Sequence, residues 1–408
     1  MSQYKFDYDG QVPFRRLIVR SVAPGPNPVH FFVFQDPSKD KADEDDAGGE
    51  CERRGRAYLD SLISADVGTR LVNLYFKFVF PLFPVISPQS ERPDPPFSAT
   101  VLAAIYLVAL DFATFDDVLC IQTAYDQSPR RGLEEFIWSD LHERRSRPTL
   151  SLLQSALLLA LSPARDMLMP ENDERLSLGG IIVSMASTLG LQHDPSDWDI
   201  PAAEIALRRR LSCLVRANDT WLAAATGRPG HISSGNWLVD VVTAADLREA
   251  GTEAQGLDNF VLFSRLSNLL QAVLDNVYSL KASRELSTNL GKTLSVTQPL
   301  LESLSEWCSQ LTRGRSTEDT SSLINVSSFL RLGYHAVRTL LFRALMRPFH
   351  NARYASLSSG EEYDAVLEQV RAGAKACCVD FLAYIRELDS QEFHSFWPFC
   401  TFRTLEAK

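Results

Sequence analysis

Cysteine is scarce in this 408-residue chain, and what there is has no metal-binding spacing. The seven cysteines (Cys51, Cys120, Cys213, Cys308, Cys377, Cys378 and Cys400) are odd in number, scattered, and form no C-x-x-C pair. That excludes a compact thiolate zinc site and a disulfide framework, and predicts reduced thiols. Long apolar runs are missing too. The longest, VLAAIYLVAL (101–110) and ALLLAL (156–161), fall short of the roughly 20 residues a membrane span needs, so no membrane contact is expected. The N-terminal stretch MSQYKFDYDGQVPFRRLIVRS has no apolar signal core. An excess of basic charge is likewise absent. Lysine and arginine number 41 against 51 acids, a formal net charge of −10, and such a mean field repels phosphate.

Catalytic signatures fail on their mechanics. NLGKTLS ends like a phosphate loop, but Leu286 stands where the first glycine is required. HERRS opens at His142 like a metalloprotease helix, yet Ser146 replaces the second histidine. There is no G-x-S-x-G elbow and no G-x-G-x-x-G loop. The seven histidines show no ligand pairing, and His193-Asp194 reads as a helix-end turn. No catalytic, cofactor or metal residues are assigned, and no enzyme is expected.

The sequence is rich instead in helical periodicity. Residues 1–35 hold two β-leaning runs, RRLIVRSV and VHFFVFQD, around the turn-rich APGPNP. DPSKDKADEDDAGGE (36–50) is acidic and poor in apolar residues and is expected to be a disordered linker, and 36–65 as a whole is set apart as an acidic linker. From residue 66 onward helix follows helix. Leu71, Leu74, Tyr75, Phe78 and Val79 share one face before Pro81 and Pro84, and SATVLAAIYLVALDF is apolar on nearly every side. Thr149 or Ser151 can cap the helix that Pro163 closes. Leu178, Ile182, Met185 and Leu189 share a face that ends at Gly190, suited to a left-handed position. Further helices are expected over 259–283, 293–311, 327–349 and 362–388, with polar loops at 312–322 and 350–361. The predicted fold is an all-α helical array with a short irregular or β-leaning N-terminal segment, without a solenoid repeat.

Residues 203–226 form the most informative helix. Leu207, Leu211, Leu214, Asn218, Trp221, Leu222 and Ala225 make its apolar stripe, and Arg208, Arg209 and Arg210 fall on the polar side as a solvated shoulder. Glu204–Arg208 and Arg216–Asp219 are candidate ion pairs. Gly227 stops the helix and Pro229 prevents its restart. Asp219, in mid-helix, is expected to face Arg228, Arg209 or a backbone amide.

Taken in order, LVNLYFKFVFPLFPVIS (71–87), ATVLAAIYLVAL (99–110), RPTLSLLQSALLLAL (147–161) and above all GGIIVSMASTLGLQHDPSDWDIPAAEIALRRRLSCLVRANDTWLAAATGRPGHI (179–232) resemble the regulatory domain of fungal zinc binuclear-cluster transcription factors, the middle homology region. The matching positions are Leu189, Gly190, Leu191, Asp194, Glu204, Arg208, Arg209, Arg210, Leu211, Asp219, Gly227, Arg228 and Pro229. YHAVRTLLFRALMRP and FHSFWPF are similar to its later segments, so the resemblance covers roughly 68–400 and sets the domain at 66–400. Where family members carry a tryptophan after the arginines, this chain has Ser212-Cys213. Ser233, Ser234 and Asn236 replace acidic positions ahead of Asp240. Only Cys51 lies in the first 119 residues, so a six-cysteine cluster is not expected there, nor zinc. The chain also ends at TFRTLEAK, where members usually run into another apolar helix. The resemblance implies a nuclear transcriptional regulator of a metabolic or secondary-metabolite gene cluster. It would pair with other regulators as a homo- or heterodimer, reach DNA only through a partner, and answer to a small-molecule effector. A dimerising remnant or dominant-negative partner, and a helical enzyme, are the competing readings.

Overall fold

The computed structural model describes residues 16–23, 29–35, 44–87, 97–125, 128–162, 173–239, 242, 257–313, 327–350, 361–389 and 392. The β-leaning segment is a two-stranded hairpin. β1 (Arg16–Ala23) pairs antiparallel with β2 (Val29–Gln35), with Leu17 opposite Phe34 and an irregularity between Ser21 and Ala23. Everything else that is regular among the described residues is helical, and the fold is all-α. The chain divides into two compact units. The first holds Met1–Ser162, Leu168–Val215 and Ser233–Ala254, and the second Pro163–Met167, Arg216–Ile232 and Gln255–Lys408.

In the first unit α3 (Ala99–Ala109) is the axis. Nearly every residue in it is buried, as its uniform apolarity requires. Around it lie α1 (Glu44–Leu62), α2 (Ala65–Leu74), α5 (Arg130–Arg144) and α6 (Leu150–Leu161), and α7 (Asp173–Thr188) packs on α6. The short α4 (Leu119–Tyr125) follows a 3-10 turn over Leu110–Phe115. α2 continues through a π turn (Tyr75–Val79) before Pro81, burying Leu71, Leu74, Tyr75, Phe78 and Val79 as their spacing predicts. Phe78 stacks on Phe112 at 4.6 Å. Thr149 caps α6, accepting the Leu152 N–H at 3.2 Å.

Residues 44–62 correct the disordered-linker expectation. α1 leaves Glu50 and Asp60 exposed and buries Leu59, while Ile63 is buried just beyond its end. Glu52 accepts the Ala99 N–H at 2.7 Å and so serves the start of α3, and a Cβ on Gly55 would lie 3.0 Å from the Ala99 side chain. The helix forms because a neighbour needs that carboxylate and that close approach, which composition does not show. Residues 36–43 lie outside the described residues.

The second unit takes the last part of α8 (Ala202–Thr226) and α9 (Leu257–Val273), α10 (Leu280–Leu286), α11 (Leu290–Arg313), α12 (Ser327–His350) and α13 (Glu361–Glu387). The helix expected over 259–283 breaks at a π turn (Leu274–Tyr278), and Ser279 then caps α10. α12 packs on α9, α11 and α13. Its approach to α13 is close: a Cβ on Gly373 would lie 2.6 Å from the Phe342 ring. Buried polar tips are answered across helices, Tyr384 donating to the Ser328 carbonyl at 2.6 Å and Trp307 to that of Leu262 at 2.9 Å. The polar loops expected at 312–322 and 350–361 fall almost wholly outside the described residues, as does Pro163.

Candidate functional site

The residues singled out by sequence sit on α8 and on the turns at its two ends. α7 ends as its sequence predicts. Gly190 adopts φ 76°, its N–H donates to the Ser187 carbonyl at 3.1 Å, and the Leu191 N–H reaches the Ala186 carbonyl at 2.9 Å. This is the paired bond pattern of a glycine-terminated helix. Leu191 is buried behind it. The chain then turns through His193, whose N–H donates to Gly190, and burial pushes that imidazole below its usual range. Asp194 caps the next short turn by accepting the Ser196 N–H at 2.9 Å.

The three arginines brace this turn, so the solvated-shoulder expectation is overturned. Arg208 is 15% exposed. It pairs with Glu204 at 2.8 Å, as expected, and donates to the Leu189 carbonyl at 3.0 Å, placing a cation on the carbonyl end of α7. Its guanidinium also lies 5.3 Å from the Trp198 ring centroid. Arg209, 23% exposed, grips both oxygens of Asp194 at 3.1 Å and bonds Ser196. Arg210 is 0% exposed and donates to Ser87 Oγ at 2.7 Å, tying α8 to the end of the FPVIS segment. A charged group is buried at this depth only against fixed partners, and these partners come from elements distant in sequence. Ser212, where the family carries tryptophan nearby, accepts the Trp237 Nε1–H at 2.8 Å.

Asp219 belongs to the second unit and is 1% exposed. Of the expected partners, backbone amides are the ones found. Oδ2 accepts the Ile232 N–H at 2.8 Å, and Oδ1 accepts the His231 N–H at 3.1 Å and faces His231 Nδ1 at 2.8 Å. Among the described residues no bond to Asp219 from Arg228 or Arg216 is found, and Arg209 is engaged with Asp194. Asp219 thereby closes the loop that Gly227 opens at φ 66°, and Gly230 leaves room for it, since a Cβ there would lie 3.0 Å from Oδ2. Arg228 and Pro229 lie exposed in that loop. Immediately after Asp219, Thr220 donates to Gln271 at 2.6 Å and Trp221 to Ser267 Oγ at 2.9 Å.

The motif therefore consists of helix caps, braces and a loop lock. Sequence reasoning missed Ser87, Trp198, His231 and Trp237, the partners that give the charged residues their roles; only their polar tips in apolar surroundings could have signalled them. Among the described residues no cluster of three or more histidines, cysteines, aspartates or glutamates is placed to hold a metal ion, and no helix is long and apolar enough to cross a membrane.

Residues 72–309, more than half of the chain, match the family described as the fungal specific transcription factor domain. The chain is 24% identical over 383 residues to the transcriptional activator protein DAL81 of Saccharomyces cerevisiae, covering 82% of this chain and 38% of that protein. It is 27% identical over 323 residues to a transcriptional regulatory protein of Schizosaccharomyces pombe, covering 76% and 46%. A shorter stretch of 118 residues is 30% identical to the transcription factor cpaR of Aspergillus oryzae, covering 24% and 20%. The chain thus spans less than half the length of these relatives, and no solved structure matches it. Family and relatives alike are named for transcription regulation and not for an enzyme. With its arginine-braced turn and its matched segments in place, the chain belongs to the fungal specific transcription factor domain family.

Proposed function

We propose that this chain is the regulatory part of a fungal transcriptional regulator, with residues 66–400 as the regulatory domain, acting in the nucleus through contacts with other regulators. It works as a homo- or heterodimer, reaches DNA through its partner, and changes output when a small effector binds. The observation that carries this reading is the inward commitment of Arg208, Arg209 and Arg210. The basic run that would suggest phosphate contact is instead engaged with Leu189, Asp194 and Ser87. A net charge of −10 supports the same division of labour, since sequence-independent affinity for DNA needs clustered exposed cations. The outer face of α13, where Val379, Leu382 and Ile385 are exposed, supports association with another regulator through apolar contact.

Two experiments test it. Tethered to a heterologous DNA-binding domain, the chain is expected to shift a reporter severalfold; output equal to that of the DNA-binding domain alone would overturn the regulatory role. Chromatin immunoprecipitation of the tagged chain is expected to show occupancy that disappears when its DNA-binding partner is deleted. Occupancy that persists without any partner would refute indirect recruitment.

A further inference from the structure

We propose that a cavity in the first unit, walled by α2, α4 and the start of α5, binds a small monocarboxylate with an apolar body, held at its polar end by Arg130. This names a site and ligand class for the effector of the preceding reading and rests on it. The cavity is partly open to solvent and has a volume of about 400 Å³. That exceeds the roughly 150 Å³ that holds one benzene and falls within the range of small-molecule sites, about 300–1,000 Å³. Ile63, Val67, Leu71, Ala113 and Leu119 supply an apolar wall, and Arg130 supplies the cation.

Arg130 is oddly placed for a merely structural residue. It opens α5, where the helix dipole disfavours a cation; that helix has no acidic residue in its first turn, and its first N–H reaches Ser128 Oγ at 3.4 Å. One guanidinium nitrogen, Nη2, pairs with Asp111. The other, Nη1, is buried and makes no hydrogen bond among the described residues. Burial pushes the Asp111 carboxyl up, but the two side chains stay 26% and 32% exposed, so the cost of an unanswered donor falls on the buried Nη1 atom itself. A helix start without acidic residues and a buried guanidinium donor, at one end of a cavity with an apolar wall, both call for an acceptor bearing negative charge. A carboxylate fits the planar donor fork. A phosphate dianion would set two negative charges beside Asp111 where a carboxylate sets one, and an organic cation would meet Arg130 directly.

The test titrates octanoate into the purified 408-residue chain by isothermal calorimetry. Octan-1-ol serves as the uncharged arm and inorganic phosphate as the anion without a tail. Octanoate is expected to saturate one site per chain, octanol to bind about tenfold more weakly, and phosphate to give no heat. Val67→Phe, at a half-buried wall position, and Arg130→Met are each expected to weaken octanoate by about tenfold or more, with circular dichroism unchanged. Because Arg130→Met strands Asp111, the double variant Asp111→Asn/Arg130→Met provides the same readout in a neutral setting. No saturable octanoate binding, or binding untouched by Val67→Phe, overturns the site. Equal affinity for octanoate and octanol, or full affinity in the double variant, overturns the carboxylate assignment. The tethered reporter reads the regulatory role without added octanoate, so failure here and failure of that role are separable.

Discussion

Arg210 is a mid-helix arginine with no exposed surface, and its partner lies 123 residues away in sequence. The bond to Ser87 Oγ ties a guanidinium with no exposed surface to a distant segment, so this side chain is structural and removing it should cost stability. Arg210→Ala loses the hydrogen bond and leaves a void, an expected destabilisation of about 3 kcal/mol. Arg210→Met keeps most of the volume and drops the charge, and about 1 kcal/mol is expected. Urea midpoints of the two variants check the ordering; equal and negligible losses would mean the side chain is free in solution. Asp219→Ala strands two backbone N–H groups and should cost about 2–3 kcal/mol, read in the same way. The sequence placed Asp219 against an amide or an arginine, and only the amides were right. A charged residue on a helical wheel is assigned to water by default, and nothing local marks the distant hydroxyl or amide that takes it inside.

At the scale of elements, punctuation was legible. Thr149 and Gly190 stand where their chemistry places them, at a helix start and just past a helix end. Gly190→Ala must hold φ near 76° with a Cβ, and should cost about 1 kcal/mol in thermal or urea unfolding. α5 went unread although Leu133, Ile137 and Leu141 recur every four residues, because four arginines and glutamates among its first seven positions mask the stripe. α1 was read as linker for the same reason.

The α12–α13 interface carries a pH dependence that periodicity does not reveal. His335 stacks on Tyr384 with ring centroids 5.2 Å apart and lies 5.4 Å from Phe381. Burial pushes its imidazole down to about 4, Arg338 and Arg331 on its own helix act in the same direction, and Asp380 on α13 opposes them. The unfolded chain takes a proton near pH 6.5 that the folded chain refuses until about pH 4. Stability from this group is therefore intact above about pH 6.5 and declines below it, by roughly 2 kcal/mol at about pH 5. His335→Phe keeps the ring contact and should remove that decline, so urea unfolding at about pH 7.5 and pH 5 should show a smaller loss in the variant than in the parent. Equal losses would exclude His335 as the cause.

For the whole molecule, the expectation concerns what it does not touch by itself. With −10 net charge and its arginine run engaged internally, the purified chain should give no anisotropy change with labelled duplex DNA at about 0.15 M salt. Saturable binding there would overturn recruitment through a partner. Helical class, the β-leaning start, most helix positions and the family pattern were set by the sequence alone, because apolar period, caps and turn residues act within a few residues of chain. Which charges are buried, that α1 is a helix, and where a cavity opens beside Arg130 were decided by tertiary structure. Each depends on groups brought together from far apart in the chain, whose mutual desolvation and hydrogen bonding have no counterpart in any local window.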